Sequence, residues 1–245
     1  MPHHRLAFVA ARIGVLGAVG YWLPSTALVS ARMRRLFGVR ATIDRPDAVA
    51  LTFDDGPHPD GTSAVLAALE RAGARATFFL AGEQVERFPE VAKQITAAGH
   101  GIGVHCQRHR NLMRLTPRQV TVDLDRARAV IREATAREPR VYRPPYGILT
   151  MPALAYARRA GWDVVLWRRD GKDWKARATA NSIADKITRR LVPGDVILLH
   201  DADHYSAPRS WEATAGAVEL LLGELARRGL RAASLTEVPH EPVAR

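Results

Sequence analysis

Five short stretches carry side chains that can do chemistry: Asp54 and Asp55 in LTFDDGP, His105 and His109 in HCQRH, Arg143 in RPPYG, Asp170 and Asp173 in DGKDW, and His200 in ILLH. Adjacent carboxylates ending an apolar run repel one another and lose hydration on burial. They therefore require a cation, a hydrogen-bond network or open water beside them. His105 and His109 stand four apart. On a helical turn after the strand their Cβ atoms would be about 5 to 6 Å apart, close enough to share one cation. Two imidazoles and one carboxylate leave positions on a divalent ion open for water and substrate. One aspartate then binds the metal, and its neighbour takes a proton from water that the metal has made more acidic. Each stretch taken singly also has an ordinary structural explanation: His109 as an exposed surface residue, Arg143 as a surface ion pair, Trp174 as a core aromatic, Asp170 as a loop cap. His100, ahead of its strand, is expected to be structural, and His58 is a minor candidate for substrate contact.

These side chains need elements to position them. Short apolar or β-branched runs are expected as strands at Val49–Phe53, Ala76–Ala81, Ile102–His105, Val141–Arg143, Asp163–Trp167, Val196–His200 and Leu230–Leu235. Helical spacing occupies the intervals Thr62–Ala72, Pro89–Ala98, Thr116–Ala136, Met151–Arg159, Asn181–Leu191 and Trp211–Arg228, with Thr62 and Thr116 as caps and Gly73, Gly99, Gly161 and Gly229 as closers. This alternation predicts an α/β fold of parallel strands with crossover helices. The reactive residues fall at or just past the C-terminal ends of different strands. A closed or nearly closed barrel gathers such ends at one mouth, whereas an open sheet spreads them along an edge. Strand alternation alone would send Asp54 and Asp55 to opposite faces, but Gly56-Pro57 lets the chain turn so that both reach the mouth.

With 245 residues, 47% of them hydrophobic, the chain can bury one substantial core, and no linker, low-complexity run or fixed-period repeat divides it. Three regions are expected: an N-terminal apolar segment with its basic flank over 1–45, a catalytic domain over 46–238 and a tail over 239–245. The net charge of +11 rests mostly on Arg, without a basic stripe interleaved with aromatics, so no nucleic-acid partner is expected. Cys106 is the only cysteine, which excludes an intramolecular disulfide. Residues 13–31 carry no charge but include Pro24 and several glycines, which makes them a poor helix. They are open to three interpretations: a membrane anchor, a signal peptide cleaved near Val29–Ala31, or a helix packed on the domain. A membrane-associated or cell-envelope location is the expectation. The arginines at 32, 34, 35 and 40 argue for the cytoplasmic side by the positive-inside rule.

In order along the chain, Thr52-Phe53-Asp54-Asp55-Gly56-Pro57, His105-Cys106-Gln107-Arg108-His109, Arg143-Pro144-Pro145-Tyr146-Gly147, Asp170-Gly171-Lys172-Asp173-Trp174 and Ile197-Leu198-Leu199-His200 resemble the five motifs of the polysaccharide deacetylase family (NodB homology, carbohydrate esterase 4). The resemblance implies a distorted (β/α)7 barrel that removes acetyl groups from N-acetylated amino sugars or polysaccharides with one divalent metal, usually Zn2+, with Co2+, Ni2+ or Mn2+ as alternatives. It further implies Asp54 as general base, Asp55, His105 and His109 as metal ligands, and Arg143 as the partner orienting Asp54. The Tyr146 N–H would stabilise the oxyanion, and His200 would be the leaving-group acid, kept charged by Asp173. Pro145, Tyr146 and Trp174 would contact substrate. Cys106 stands where the family usually has Ser or Thr, and the polar and aromatic segment after His200 is longer than a plain βα loop needs. Two alternatives follow: hydrolysis of an N-formyl amide or an acetyl ester on the same metal site, or a non-catalytic carbohydrate- or membrane-binding protein.

Overall fold

The apolar run at Val49–Phe53 becomes the central strand of the molecule. In a computed structural model, which describes residues 20–236, it extends over Ala48–Asp54 with every residue buried. The strands in chain order are β1 Val39–Arg40, β2 Ala48–Asp54, β3 Thr77–Ala81, β4 Gly101–Cys106, β5 Val141–Tyr142, β6 Asp163–Val165, β7 Arg169–Asp170, β8 Val196–His200 and β9 Arg231–Ala233. All seven expected strands are present, several trimmed at their ends, and β1 and β7 are additions of two residues each, too short to carry a periodic signal.

The sheet is parallel throughout, in the order β1-β6-β5-β4-β3-β2-β8-β7, with β9 paired to the start of β2. It curls into the distorted α/β barrel that the resemblance implies. Closure is incomplete: β1 and β7 end the strand path, and an antiparallel bridge between Thr42 and Asp195 draws the two ends together.

Eight α-helices lie among the described residues: α1 Ala31–Phe37, α2 Gly61–Arg71, α3 Gly82–Arg87, α4 Pro89–Ala97, α5 Pro117–Thr135, α6 Met151–Arg159, α7 Ala180–Thr188 and α8 Ser210–Arg227. Helix α5 starts as its sequence dictates, with Pro117 in the first turn and a capping box in which Thr116 and Gln119 satisfy each other's backbone N–H groups. Helices α1 and α3 were not expected. The first lies in the basic flank, and the second follows β3 without a linker and has only six residues.

Period-two alternation divides the strand side chains. Val49, Leu51, Phe53, Phe78, Leu80, Val104, Ile197 and Leu199 pack outward against the helices, while Ala48, Ala50, Phe79, Val141, Val165 and Val196 form a separate cluster inside the barrel. The interior parity continues up β2 through Thr52 to Asp54 and up β8 through Leu198 to His200. The polar residues at the mouth thus stand on the same face as the small interior core.

Over its described part the N-terminal stretch packs on the domain. Leu23–Leu28 forms a 3-10 turn with Pro24 and Ala27 buried, and Ser30 is the N-cap of α1, its hydroxyl accepting from the Met33 N–H at 3.3 Å. No helix among the described residues is long and apolar enough to cross a membrane. Residues 13–19 of the uncharged stretch and the 239–245 tail lie outside the described residues. Because β1 pairs with β6, the flank before residue 46 contributes a strand to the barrel sheet.

The packing inside the barrel generates a stability prediction. A Cβ on Gly103 would stand 2.7 Å from both Phe79 Cδ1 and Val141 Cγ2. Gly103→Ala is expected to destabilise the protein by about 1–3 kcal/mol, read as a lower urea midpoint at unchanged m-value. An unaltered midpoint would refute this packing.

Candidate active site

Arg143 lies at the bottom of the barrel mouth, 0% exposed. Its Nη1 donates to Asp54 Oδ1 at 2.7 Å and to Thr52 Oγ1 at 2.8 Å, and its Nε and Nη2 donate to the carbonyls of Val165 and Leu166 at 3.0 and 3.3 Å. The guanidinium sits 4.1 Å from the Phe79 ring centre. Asp54 therefore has a compensating cation, which answers the cost of burying it. Asp55 leaves the strand at φ 78°, in the left-handed region. That conformation, which Asp tolerates better than most residues, turns its side chain to the same mouth as Asp54. Gly56 is required for a different reason: a Cβ there would lie 2.4 Å from Asp201 Oδ2.

Asp55 Oδ1 lies 3.3 Å from His105 Nε2 and 3.5 Å from His109 Nε2, and candidate ligand atoms of the three residues fall within 4.8 Å of one another. Asp55 Oδ1 is buried and has no hydrogen-bond partner. The His105 Nδ1 stands 2.8 Å from the Arg143 carbonyl, an acceptor only, so Nδ1 carries a proton and Nε2 faces Asp55. Burial is the largest influence on Asp55 and pushes its pKa up. The close approach of His105, followed by the influence of His200 and His109, outweighs it and holds Asp55 down to about 2. Burial and the neighbouring His105 push His109 down to about 4, which leaves it neutral at pH 7. An ionised carboxylate with two inward-facing imidazoles fits one divalent cation.

The two histidines do not share a helical turn, as their spacing predicted. His105 is in β4 and His109 in the loop beyond it. Asp123 on α5 folds that loop back, accepting from the N–H groups of Gln107 and Arg108 at 2.8 and 3.3 Å and from Arg110 Nη2 at 2.7 Å. The rings end 5.2 Å apart. Cys106 is buried, its thiol pushed well up by burial, and it takes no part in the ligand cluster.

The register of β2 on β8 sets Asp54 directly beside His200. His200 Nδ1 lies 3.0 Å from Asp173 Oδ1, while Asp173 Oδ2 accepts from the His200 N–H at 2.6 Å and from the Thr214 hydroxyl at 3.0 Å. Burial, the largest influence, works against the charged imidazole, but Asp173, followed by Asp55 and Asp54, raises His200 to about 10. Asp170 is bound instead by Lys172 and Lys186 at 3.5 and 3.7 Å.

A cavity of about 340 Å³ opens over these groups, lined also by Leu28, Tyr146, Trp167, Lys172, Trp174, Leu198, Tyr205 and Ser206. Tyr146, at φ 58°, sets its ring edge against His109 at 4.5 Å, and Trp174 lies edge-on to His200 at 5.4 Å. Pro145, expected to touch substrate, is buried and does not line the cavity, because the turn presents Tyr146 instead. His58 accepts the N–H groups of Asp60 and Gly61 and caps the start of α2, so it too lies away from the cavity.

The segment after His200 has a structural account. Tyr205 stacks on His109 with ring centres 4.5 Å apart, its hydroxyl bonded to Glu83 and Gln84, and Asp201 is buried with its carboxyl bonded to Thr62 and pushed up to about 7 by burial. Sequence reasoning missed Tyr205, Asp123, Thr214 and Trp167. Only Trp167, two positions beyond the interior Val165 in the strand expected over Asp163–Trp167, carried a local signal.

The polysaccharide deacetylase family profile matches residues 42–165. A chitooligosaccharide deacetylase of Bradyrhizobium is 36% identical over 79% of this chain and 93% of its own length. The chain belongs to the polysaccharide deacetylase family. A Bacillus cereus peptidoglycan-N-acetylglucosamine deacetylase is 33% identical, covering 78% of this chain and 87% of that protein. Among solved structures, the Bc1960 peptidoglycan N-acetylglucosamine deacetylase, in complex with an N-oxidanyl-benzamide, superposes with a TM-score of 0.79 at 27% identity, covering 86% of this chain and 96% of that one. Like its relatives, the protein is a hydrolase of N-acetyl amide bonds.

The His200 environment yields a pH prediction. Asp173→Asn removes the charge that most raises the His200 pKa, so the acid form persists over a narrower range. The alkaline fall of kcat is expected to move to lower pH, measured as a pH–rate profile at controlled metal content. An alkaline limb unmoved by Asp173→Asn would show that another group sets it.

Proposed function

We propose that the protein removes the acetyl group from an N-acetylated amino sugar, using one divalent metal held by Asp55, His105 and His109. The observation that carries this reading is the convergence, on one cavity, of the arginine-paired Asp54, the ligand cluster and the aspartate-paired His200. A non-catalytic binding site has no use for all three. The relatives named for chitooligosaccharide and peptidoglycan point to N-acetylglucosamine as the sugar.

When bound, a divalent ion, best Zn2+ for two imidazoles and a carboxylate, would polarise the acetyl carbonyl and acidify water. Asp54 is the general base. Arg143 occupies its Oδ1 and keeps the carboxylate oriented, so that the other oxygen accepts a proton from the attacking water. The Tyr146 backbone N–H supplies a dipole where negative charge develops on the carbonyl oxygen. His200 donates to the departing amine through Nε2, because its Nδ1 is committed to Asp173. Trp174 and Trp167 give the sugar ring apolar faces on which to lie.

Two experiments test the division of roles. Asp54→Asn is expected to retain about one metal per chain and lose most hydrolysis, since an amide cannot take the proton, whereas Asp55→Asn loses metal affinity first; metal analysis with acetate release reads both. Variants that bind metal and turn over alike would overturn the assignment. His200→Ala should slow an N-acetyl sugar by about 10²- to 10⁴-fold while sparing a nitrophenyl acetate, whose leaving group needs no acid. Equal losses at full metal occupancy would show that His200 is not the leaving-group acid.

A further inference from the structure

The 3-10 segment Leu23–Leu28 meets the cavity at one residue. Leu28 lines it beside Tyr146 and Trp167, and its Cδ1 would lie only 2.7 Å from a Cβ placed on Gly147. The segment is tied at both sides. The Tyr21 hydroxyl donates to the Leu115 carbonyl and, at 3.3 Å, lies within reach of the Leu112 carbonyl, in the turn that follows the His109 loop. From α1, Arg34 Nη1 donates to the carbonyls of Ala27 and Leu28 at 3.1 and 3.3 Å. Pro24 and Ala27 are buried against the domain. A tether that merely holds a barrel near a surface requires none of these contacts.

We propose that Leu23–Leu28 is a wall of the substrate site, and that Leu28 closes its Tyr146 side so that the acetylated sugar binds at or beside a chain end. Short oligosaccharides are then preferred over interior residues of a long polymer. This rests on the deacetylase reading above. A sugar seated over the ligand cluster must let its neighbours leave in two directions, and Leu28 occupies one of them. An apolar branched side chain offers a continuing sugar no hydrogen bond, so hydroxyls pressed against it lose hydration without compensation. The cavity, at about 340 Å³, is at the small end of the range for small-molecule sites. A leader cut near Val29–Ala31 would remove both Tyr21 and Leu28, and with them this wall.

The test compares kcat/KM on the dimer and the hexamer of N-acetylglucosamine for the full-length wild type, Leu28→Ala and Tyr21→Phe, with metal content measured in each. The wild type is expected to favour the dimer. Leu28→Ala should raise the hexamer-to-dimer ratio by about 10-fold, the scale of a changed apolar contact. Tyr21→Phe, which lies outside the cavity and acts as a positioning residue, should move the ratio in the same direction by freeing the segment. An active wild type whose ratio stays the same in both variants overturns this inference alone. A wild type that is inactive on both oligomers at full metal content overturns the deacetylase reading, and this inference with it.

Discussion

The buried pairing of Arg143 with Asp54 is the constraint on which the rest of the site depends. A fully enclosed guanidinium loses its hydration and must find all its partners within the protein. It finds them in Asp54, Thr52 and the carbonyls of Val165 and Leu166, which tie β2 to the end of β6 across the barrel interior. The carbonyl of the same residue orients His105. One residue thus sets the direction of both the base and a metal ligand. Removing either partner of such a pair leaves an uncompensated buried charge, at a cost of about 3–5 kcal/mol.

Around that pair, geometry separates two carboxylates that the sequence makes neighbours. Asp54 is the last residue of a strand and keeps the inward parity of Ala48, Ala50 and Thr52. Asp55, one residue on, turns inward only because its backbone is left-handed. The first is neutralised by an arginine, and the second is left with an unpartnered oxygen facing two imidazoles. Adjacent residues of one type therefore acquire different electrostatic surroundings, which is what distinct roles in hydrolysis require.

Loops and outlying segments complete what the strands begin. Asp123 shapes the His109 loop by accepting backbone N–H groups, and Tyr205 holds the His109 ring flat against its own. The close approach of Asp201 to Gly56 seats the segment after His200 on the turn after Asp55. These contacts join parts of the chain far apart in sequence, so the loops of the mouth are braced by residues from other parts of the fold.

The sequence by itself determined the parallel α/β architecture, because period-two apolar runs alternating with capped helical stretches admit few other folds. It also placed the reactive residues at strand ends, where a barrel gathers them. The motif favoured Asp173 over Asp170 as the partner of His200, and it is Asp173 Oδ1 that lies 3.0 Å from His200 Nδ1. Tertiary structure alone decided how His105 and His109 meet, since their spacing suggested a helix and the approach depends on a carboxylate from α5. It alone decided that Pro145 is buried away from the cavity lining and that Tyr205 and Leu28 line it. It also decided that uncharged residues around Leu23–Leu28 pack beside the cavity, where composition allowed an anchor, a leader or a packed element. The physical reason is common to these cases. Local periodicity and capping act over a few residues and leave their record in adjacent letters, whereas contacts between residues tens of positions apart exist only once the chain has folded.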